Sequence, residues 1–336
     1  MQKKVLVIGP SWVGDMVMAQ SLFKQLKQQD PNAVIDVVGP AWSSPIVARM
    51  PEVRRAITFD VKHGEFSVAK RWRFGKELRT EGYTHGIVLP RSWKSALPLL
   101  AARIPKRTGF VGEMRYVLLN DKRKRDKQKL DQTVKRFVSM ALPEGSDVEI
   151  DASLYPALKT DEANFQRLVK RLELNTEAPA VAMMPGAEYG PSKQWPVEYF
   201  KAVAQQLAAQ GKQVWVLGSG KDKPLGEVIC EGLPKVLGYN LCGATALEDV
   251  VDLLAHVETA ITNDSGLMHV AAAVGTHVQA IYGSTSPHFT PPLTQNKTIH
   301  WLQLDCGPCF KRECPLGHTN CLKQIEPKSM LNALKL

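Results

Sequence analysis

Four polar segments of this chain each follow an apolar run and lead into a helical pattern, and each holds residue types able to manage a proton or a phosphate. The fullest is Ile261 to Gly275, ITNDSGLMHVAAAVG, in which an apolar run ends at Asp264-Ser265-Gly266 and an alanine-rich helix continues until Gly275. Ser265 or Asp264 can cap that helix, and the amides behind the cap, together with the helix dipole, suit a phosphate or diphosphate. The plainer reading is a strand-to-helix junction where both residues only cap. Lys193 stands in the segment PGAEYGPSKQWP, directly before another helix, where a cation could pair with a diphosphate or simply decorate the surface. Gly14 and Asp15 close the loop PSWVGD, and Arg91 and Lys94 lie in PRSWKSA. A fifth loop, Ser219-Gly220-Lys221-Asp222, offers a carboxylate that could hold a ribose or sugar hydroxyl or cap the next helix. The Asp15 loop is neither GxGxxG nor a Walker motif, so dinucleotide and P-loop binding are unsupported there.

The positioning elements can be read around these loops. Lys3 to Gly9, a helix through Leu26 and Ala33 to Val38 form a βαβ unit, the signature of a parallel sheet. Helical signals at 44–50 and 67–80 and a strand at Thr84 to Leu89 extend it, and the loops at Asp15 and Arg91 should rim one crevice at the strand ends. Thr108 to Tyr116 is expected to be a glycine-punctuated loop. Irregular chain from Leu142 to Pro156 marks a boundary between domains at 1–155 and 156–336. Beyond it, strands at 178–184, 213–218 and 278–282 alternate with helices at 162–173, 197–209 and 246–256, and 237–242 reads as a short edge segment. Two α/β domains would leave a cleft between their strand ends.

Composition narrows the partners. With 336 residues, 44% of them hydrophobic, the chain can bury a sizeable core in each of two domains. No signal-peptide layout opens it, and no apolar run is long enough to span a bilayer, so a soluble cytoplasmic protein is expected. The net charge of +10 is unevenly divided: residues 1–160 hold 28 Lys and Arg against 16 Asp and Glu, and residues 161–336 hold 15 against 17. Such asymmetry suits a polyanion, whether nucleic acid, an anionic membrane or a phosphorylated substrate, although a solvated surface is the simpler alternative. The densest run is Asp121 to Lys129, with six basic residues in nine. No nucleic-acid module is recognisable, and the bases are not interleaved along a stacking surface, so nucleic acid is not expected as a partner.

Together, IGPSWVGDMVMAQSL, PGAEYGPSKQWP, TNDSGLMHVAAAVG and YGSTSPHFTPP resemble the ADP-heptose:lipopolysaccharide heptosyltransferases, and LPRSWKSAL and RTGFVGEMRY look most like the second heptosyltransferase group. The likeness spans nearly the whole chain. It implies an α/β GT-B fold, two Rossmann-like parallel-sheet domains facing across a cleft, with acceptor on the N-terminal domain and ADP-sugar on the C-terminal one. It implies Asp15 as the general base that deprotonates the acceptor hydroxyl, with inversion at the anomeric carbon, and Lys193 on the donor diphosphate. Ser265 and Gly266 would add backbone amides to the same phosphates, Asp264 and Asp222 would meet donor hydroxyls, and His269, one turn into the helix, is placed with the donor-binding residues, a structural hydrogen bond being its plainer role. No metal is required, since lysine and helix amides can neutralise the leaving diphosphate. The implied acceptor is an anionic Kdo-linked lipid A core in the inner leaflet of the inner membrane, met by Gly14, Arg91, Lys94, Arg107, Arg115 and the 122–129 run in a peripherally attached enzyme. Rival readings are the first heptosyltransferase, acting on Kdo2-lipid A, and a noncatalytic nucleotide-sugar-binding protein.

One segment stands outside this scheme. Residues 305–321, DCGPCFKRECPLGHTNC, carry Cys306, Cys309, Cys314 and Cys321, which would suit a tetrahedral structural zinc, while buried reduced thiols and a disulfide or redox pair are the alternatives. Cys230 and Cys242 read as isolated core residues.

Overall fold

A computed structural model describes residues 2–60 and 66–334, and the chain divides into two compact units, Met1–Ala157 and Leu158–Leu336. In the first, strands β1 (Lys4–Ile8), β2 (Val34–Gly39), β3 (Arg55–Thr58), β4 (His85–Val88), β5 (Lys106–Phe110) and β6 (Asp121–Arg123) alternate with helices α1 (Val13–Gln29), α2 (Ser44–Ala48), α3 (Val68–Glu77), α4 (Leu97–Ala101) and α5 (Thr133–Val138). The second unit has α6 (Glu162–Arg171), β7 (Ala180–Met184), α7 (Val197–Ala209), β8 (Gln213–Val216), α8 (Lys223–Cys230), β9 (Gly238–Asn240) and α9 (Leu247–Ala255). It continues through β10 (Thr259–Asn263), α10 (Gly266–Ala273), β11 (His277–Tyr282), β12 (Lys297–Trp301), α11 (Asn320–Lys323) and α12 (Pro327–Ala333).

The sheet orders are β3-β2-β1-β4-β5-β6 and β12-β11-β10-β7-β8-β9, with every pairing parallel. Read from the third strand of each unit, both follow 3-2-1-4-5-6, the doubly wound Rossmann order. A parallel strand covered on both faces must be apolar throughout. That is why β7 (AVAMM) is buried at every position. In the first unit Leu6, Val38, Val88, Leu99 and Leu119 share one core, and in the second Val181, Val214, Ile261, Phe200 and Trp195 share another. One polar exception is fully buried Asp36 of β2, which accepts from Tyr83 and from the guanidinium groups of Arg54 and Arg55.

One expectation needs correction here. Thr108 to Phe110 is strand rather than loop, because β5 is a parallel strand whose inner positions are satisfied by β4 and β6. The basic run is not one uniform stretch: its first three residues form β6 and Arg123 is buried.

Candidate functional site

In doubly wound sheets the ligand crevice opens beyond the carboxyl ends of the strands, where the order reverses. The reversal falls between β1 and β4 in one unit and between β7 and β10 in the other. The loops leaving those four strands are the ones that carry Asp15, Arg91, Lys193 and Asp264.

In the N-terminal unit, Gly14 and Asp15 are the second and third residues of α1, whose N-cap, Trp12, makes no side-chain capping bond. Gly14 is buried and Asp15 half-buried. Helix α5 packs on α1 and brings Arg136 into the field of Asp15. The Arg136 guanidinium donates to the carbonyls of Leu130 at 2.9 Å and Asp131 at 3.2 Å. Burial first, then the positive charges of Arg125 and Arg91, bring its pKa down to about 10, with Asp131 and Asp15 opposing them. The Nε of Arg125 is buried without a hydrogen-bond partner among the described residues. Arg91 and Arg125 thus add positive charge around Arg136, the arginine that feels Asp15. Sequence reasoning missed Arg136, since a lone arginine in TVKRFV has no motif, and saw Arg125 only within a charge run.

The other basic candidates divide. Arg91 is exposed, and the Lys94 ammonium lies 5.2 Å from the centre of the Phe66 ring. Arg115 is instead buried, its guanidinium donating to the carbonyls of Phe110 (2.8 and 2.6 Å), Pro90 (2.7 Å) and Ser92 (3.3 Å). Arg107 likewise spends its guanidinium on the carbonyls of Leu118 at 2.8 Å and Ile104 at 2.7 Å. Both were expected on the acceptor; the fold uses them to pin loop backbone, because a guanidinium's fan of donors suits converging carbonyls.

In the C-terminal unit, Lys193 Nζ donates to Asp264 Oδ2 at 2.6 Å, and the Thr285 hydroxyl donates to the same oxygen at 2.6 Å. The ammonium also lies 4.9 Å from the centre of the Tyr189 ring. Asn263, the last residue of β10, fixes this geometry: its amide donates to Pro185 O at 2.7 Å and its Oδ1 accepts from Trp195 N at 3.0 Å, tying the Lys193 loop to the strand. Thr285 and Asn263 lie inside quoted motifs, but nothing local reveals what they bond. Ser265 occupies the N-cap of α10 in extended conformation and makes no side-chain capping bond, so the first-turn amides, beginning with Gly266, are left uncapped by it. His269 is buried beneath this turn; burial brings its pKa down to about 4, with Lys193 assisting and Asp264 opposing, and it is neutral at physiological pH.

Asp222 is committed more firmly to capping than to a ligand. Its Oδ2 accepts from Ser219 N and Ser219 Oγ, both at 2.8 Å, forming a capping box at the entry to α8. Its other oxygen lies where a Cβ on Gly186 would come within 2.5 Å, so a larger residue there would have to displace the Asp222 carboxylate.

Cys306, Cys309, Cys314 and Cys321 line one small cavity with His318. They are free thiols, and among the described residues no three His, Cys, Asp or Glu are arranged to hold a metal ion. The backbone between them has a mechanical task. Phe310 O accepts from the Tyr189 hydroxyl at 2.8 Å, Arg312 O accepts from Ser192 N at 3.2 Å, and Phe310 N donates to Ser284 O at 2.8 Å. The tail therefore braces the Lys193 loop. Cys230 and Cys242 are core thiols whose pKa burial pushes up to about 11 and about 12.

Two Rossmann-order units with charged loops at both switch points are the architecture of the GT-B glycosyltransferases. The chain belongs to glycosyltransferase family 9, the heptosyltransferases, whose family model matches residues 71–320. It is 46% identical to the lipooligosaccharide heptosyltransferase 2 of Haemophilus influenzae, with 98% of each chain covered. It is 42% identical to the lipopolysaccharide heptosyltransferase 2 of Salmonella typhimurium, covering 98% of this chain and 97% of that one. The solved ADP-heptose LPS heptosyltransferase II of Escherichia coli superposes with a TM-score of 0.88 at 40% identity, over 99% of this chain and 97% of that one.

Proposed function

We propose that this enzyme transfers L-glycero-D-manno-heptose from ADP-heptose to heptosyl-Kdo2-lipid A, with inversion and without a catalytic metal, in lipopolysaccharide inner-core synthesis. The choice of the second heptose rests on relatives of that name at 42 to 46% identity over nearly the full chain. The observation that carries the chemistry is the Lys193–Asp264 pair beside the uncapped N-terminus of α10.

Asp15 takes the proton of the acceptor hydroxyl as its oxygen attacks the anomeric carbon. The bond from that carbon to the diphosphate oxygen breaks, and ADP departs from the opposite face. Negative charge grows on the leaving diphosphate, where Lys193 and the amides at Ser265 and Gly266 offset it. An ammonium has three donors, so Lys193 can keep Asp264 while meeting a phosphate oxygen. Asp264 and, from its capping position, Asp222 serve donor hydroxyls, and neutral His269 adds no competing charge. Arg91 and Lys94, with Arg125 and Arg136, meet the carboxylates and phosphates of the acceptor. The basic N-terminal half holds the enzyme to the inner-leaflet surface that carries this acceptor.

The test is ADP release from ADP-heptose with purified heptosyl-Kdo2-lipid A under excess EDTA, comparing wild type with Asp15→Asn. Turnover by wild type should survive EDTA and fall by about 10²–10⁴-fold in the variant, with donor affinity retained. Activity on Kdo2-lipid A alone would keep the chemistry and reassign the acceptor to the first heptose. Donor binding without turnover on either acceptor would make the protein a nucleotide-sugar binder. Elemental analysis of the same preparation checks the cysteine segment: one zinc equivalent per chain would add a structural ion.

A further inference from the structure

Between β5 and β6 the chain makes a turn, residues 112–119, whose tip, residues 113–117, sorts its side chains against their hydrophobicity. The charged Arg115 is the buried one, held by the three carbonyls described above, and Leu119 enters the core beside it. Met114 and Val117 face outward at 87% and 83% exposure, with Tyr116 at 56%. This inversion uses left-handed backbone at two successive non-glycine residues, Glu113 (φ 45°) and Met114 (φ 53°), conformations that L-residues adopt only when their surroundings enforce them. The enforcement is visible: Glu113 Oε2 accepts from Trp93 N at 3.0 Å, and Leu118 N and Leu119 N both donate to Arg115 O at 3.2 Å. A fold does not gain stability by holding methionine and valine in water.

What surrounds the turn indicates what it meets. Trp93 lies against Phe66, itself 64% exposed, with ring centroids 6.4 Å apart, and Lys94 sits over the Phe66 ring. Arg91 is exposed on one flank, and Lys122 and Lys124 are exposed on the strand and loop that follow. Apolar tips with interfacial aromatics inside a basic surround match an anionic bilayer surface, where apolar side chains enter the headgroup boundary and cations meet phosphates.

We infer that the Met114–Val117 turn is a membrane-contact knuckle that inserts into the headgroup region of an anionic leaflet. It rests on the reading of a lipid-anchored acceptor and extends it, adding apolar insertion at a named segment to general charge attraction. The test is partition of the full chain onto vesicles of phosphatidylcholine with and without phosphatidylglycerol. The double substitution M114S/V117S should lower partition onto the anionic vesicles by about tenfold or more, since two apolar side chains leave the interface. The binding it keeps should still fall as salt is raised and should lose the salt-resistant remainder, whereas K122E/K124E should flatten the salt dependence. The double variant should melt with wild type, because neither side chain packs in the core, and should transfer heptose to a deacylated, water-soluble acceptor at the wild-type rate. Unchanged partition in the double variant, or no partition by wild type, overturns the inference. So does a lipid-free, concentration-dependent dimer that the double substitution abolishes, which would assign the turn to a second copy of the chain. Failure of transfer to the soluble acceptor by wild type would count against the proposed activity and leave the vesicle result to judge the turn.

Discussion

Lys193 and Asp264 compensate each other at 2.6 Å, the lysine side chain 14% exposed and the aspartate 4%. Removing one partner strands a buried charge; removing both does not. Lys193→Met should therefore destabilise the protein by about 3–5 kcal/mol, and adding Asp264→Asn should restore part of that loss, as read by denaturant unfolding of the two variants. Thr285 acts through the same carboxylate and is a positioning residue. Thr285→Val should raise the donor KM by roughly tenfold while Thr285→Ser holds near wild type, because the hydrogen bond to a charged group is worth about 1.5–3 kcal/mol. His269 supplies a pH signature. Its folded pKa of about 4 lies below the ordinary 6.5, so folding favours the neutral ring. The stability this represents is complete above pH 6.5 and is lost as pH falls from there toward 4, on the order of 3 kcal/mol. In His269→Gln the slope of unfolding free energy across that window should flatten.

At the scale of elements, the surroundings of Lys193 depend on loops that brace one another. Gly186 faces the Asp222 carboxylate, and Asp222 completes the capping box of the short turn 220–222 that leads into α8. Gly186→Ala should push that carboxylate off Ser219 and cost about 1 kcal/mol of capping, with weaker donor binding. Adding Asp222→Ala to that background should cost little more, since the cap is already lost; fully additive losses would show that the two residues act separately. The cysteine-rich segment belongs at this scale too. Its backbone at Phe310 and Arg312 holds Tyr189 and Ser192, so the tail steadies the Lys193 loop through carbonyls that any residue could supply.

For the whole molecule, the division of charge is the feature that matters. The first 160 residues carry twelve more basic than acidic residues, and the remainder two more acidic than basic. Attraction of the first half to an anionic surface is long-range and screened within a Debye length of about 10 Å at 0.1 M salt. Apolar insertion by the Met114–Val117 turn is not screened. Vesicle binding by wild type should accordingly fall as salt is raised but level off above zero, and the residual should vanish in M114S/V117S.

Alternation of strand and helix and the positions of Asp15, Arg91, Lys193 and Asp264 at strand ends were legible in the sequence. They depend on local periodicity and on turn chemistry that neighbouring residues dictate. The polar strands β3, β5 and β6 and the late strand β12 were not, because a short strand is made by what it pairs with, and β6 (DKR) has no apolar alternation to announce it. The same limit governed the charged residues. Arg91, Arg107 and Arg115 look alike as letters, yet one is exposed and two pin backbone, and Arg136 joins Asp15 only because α5 packs on α1. Residue type fixes what a side chain can donate or accept. Only the tertiary structure decides which distant carbonyl or carboxylate receives it, since desolvation forces each buried donor to find a partner wherever the fold puts one.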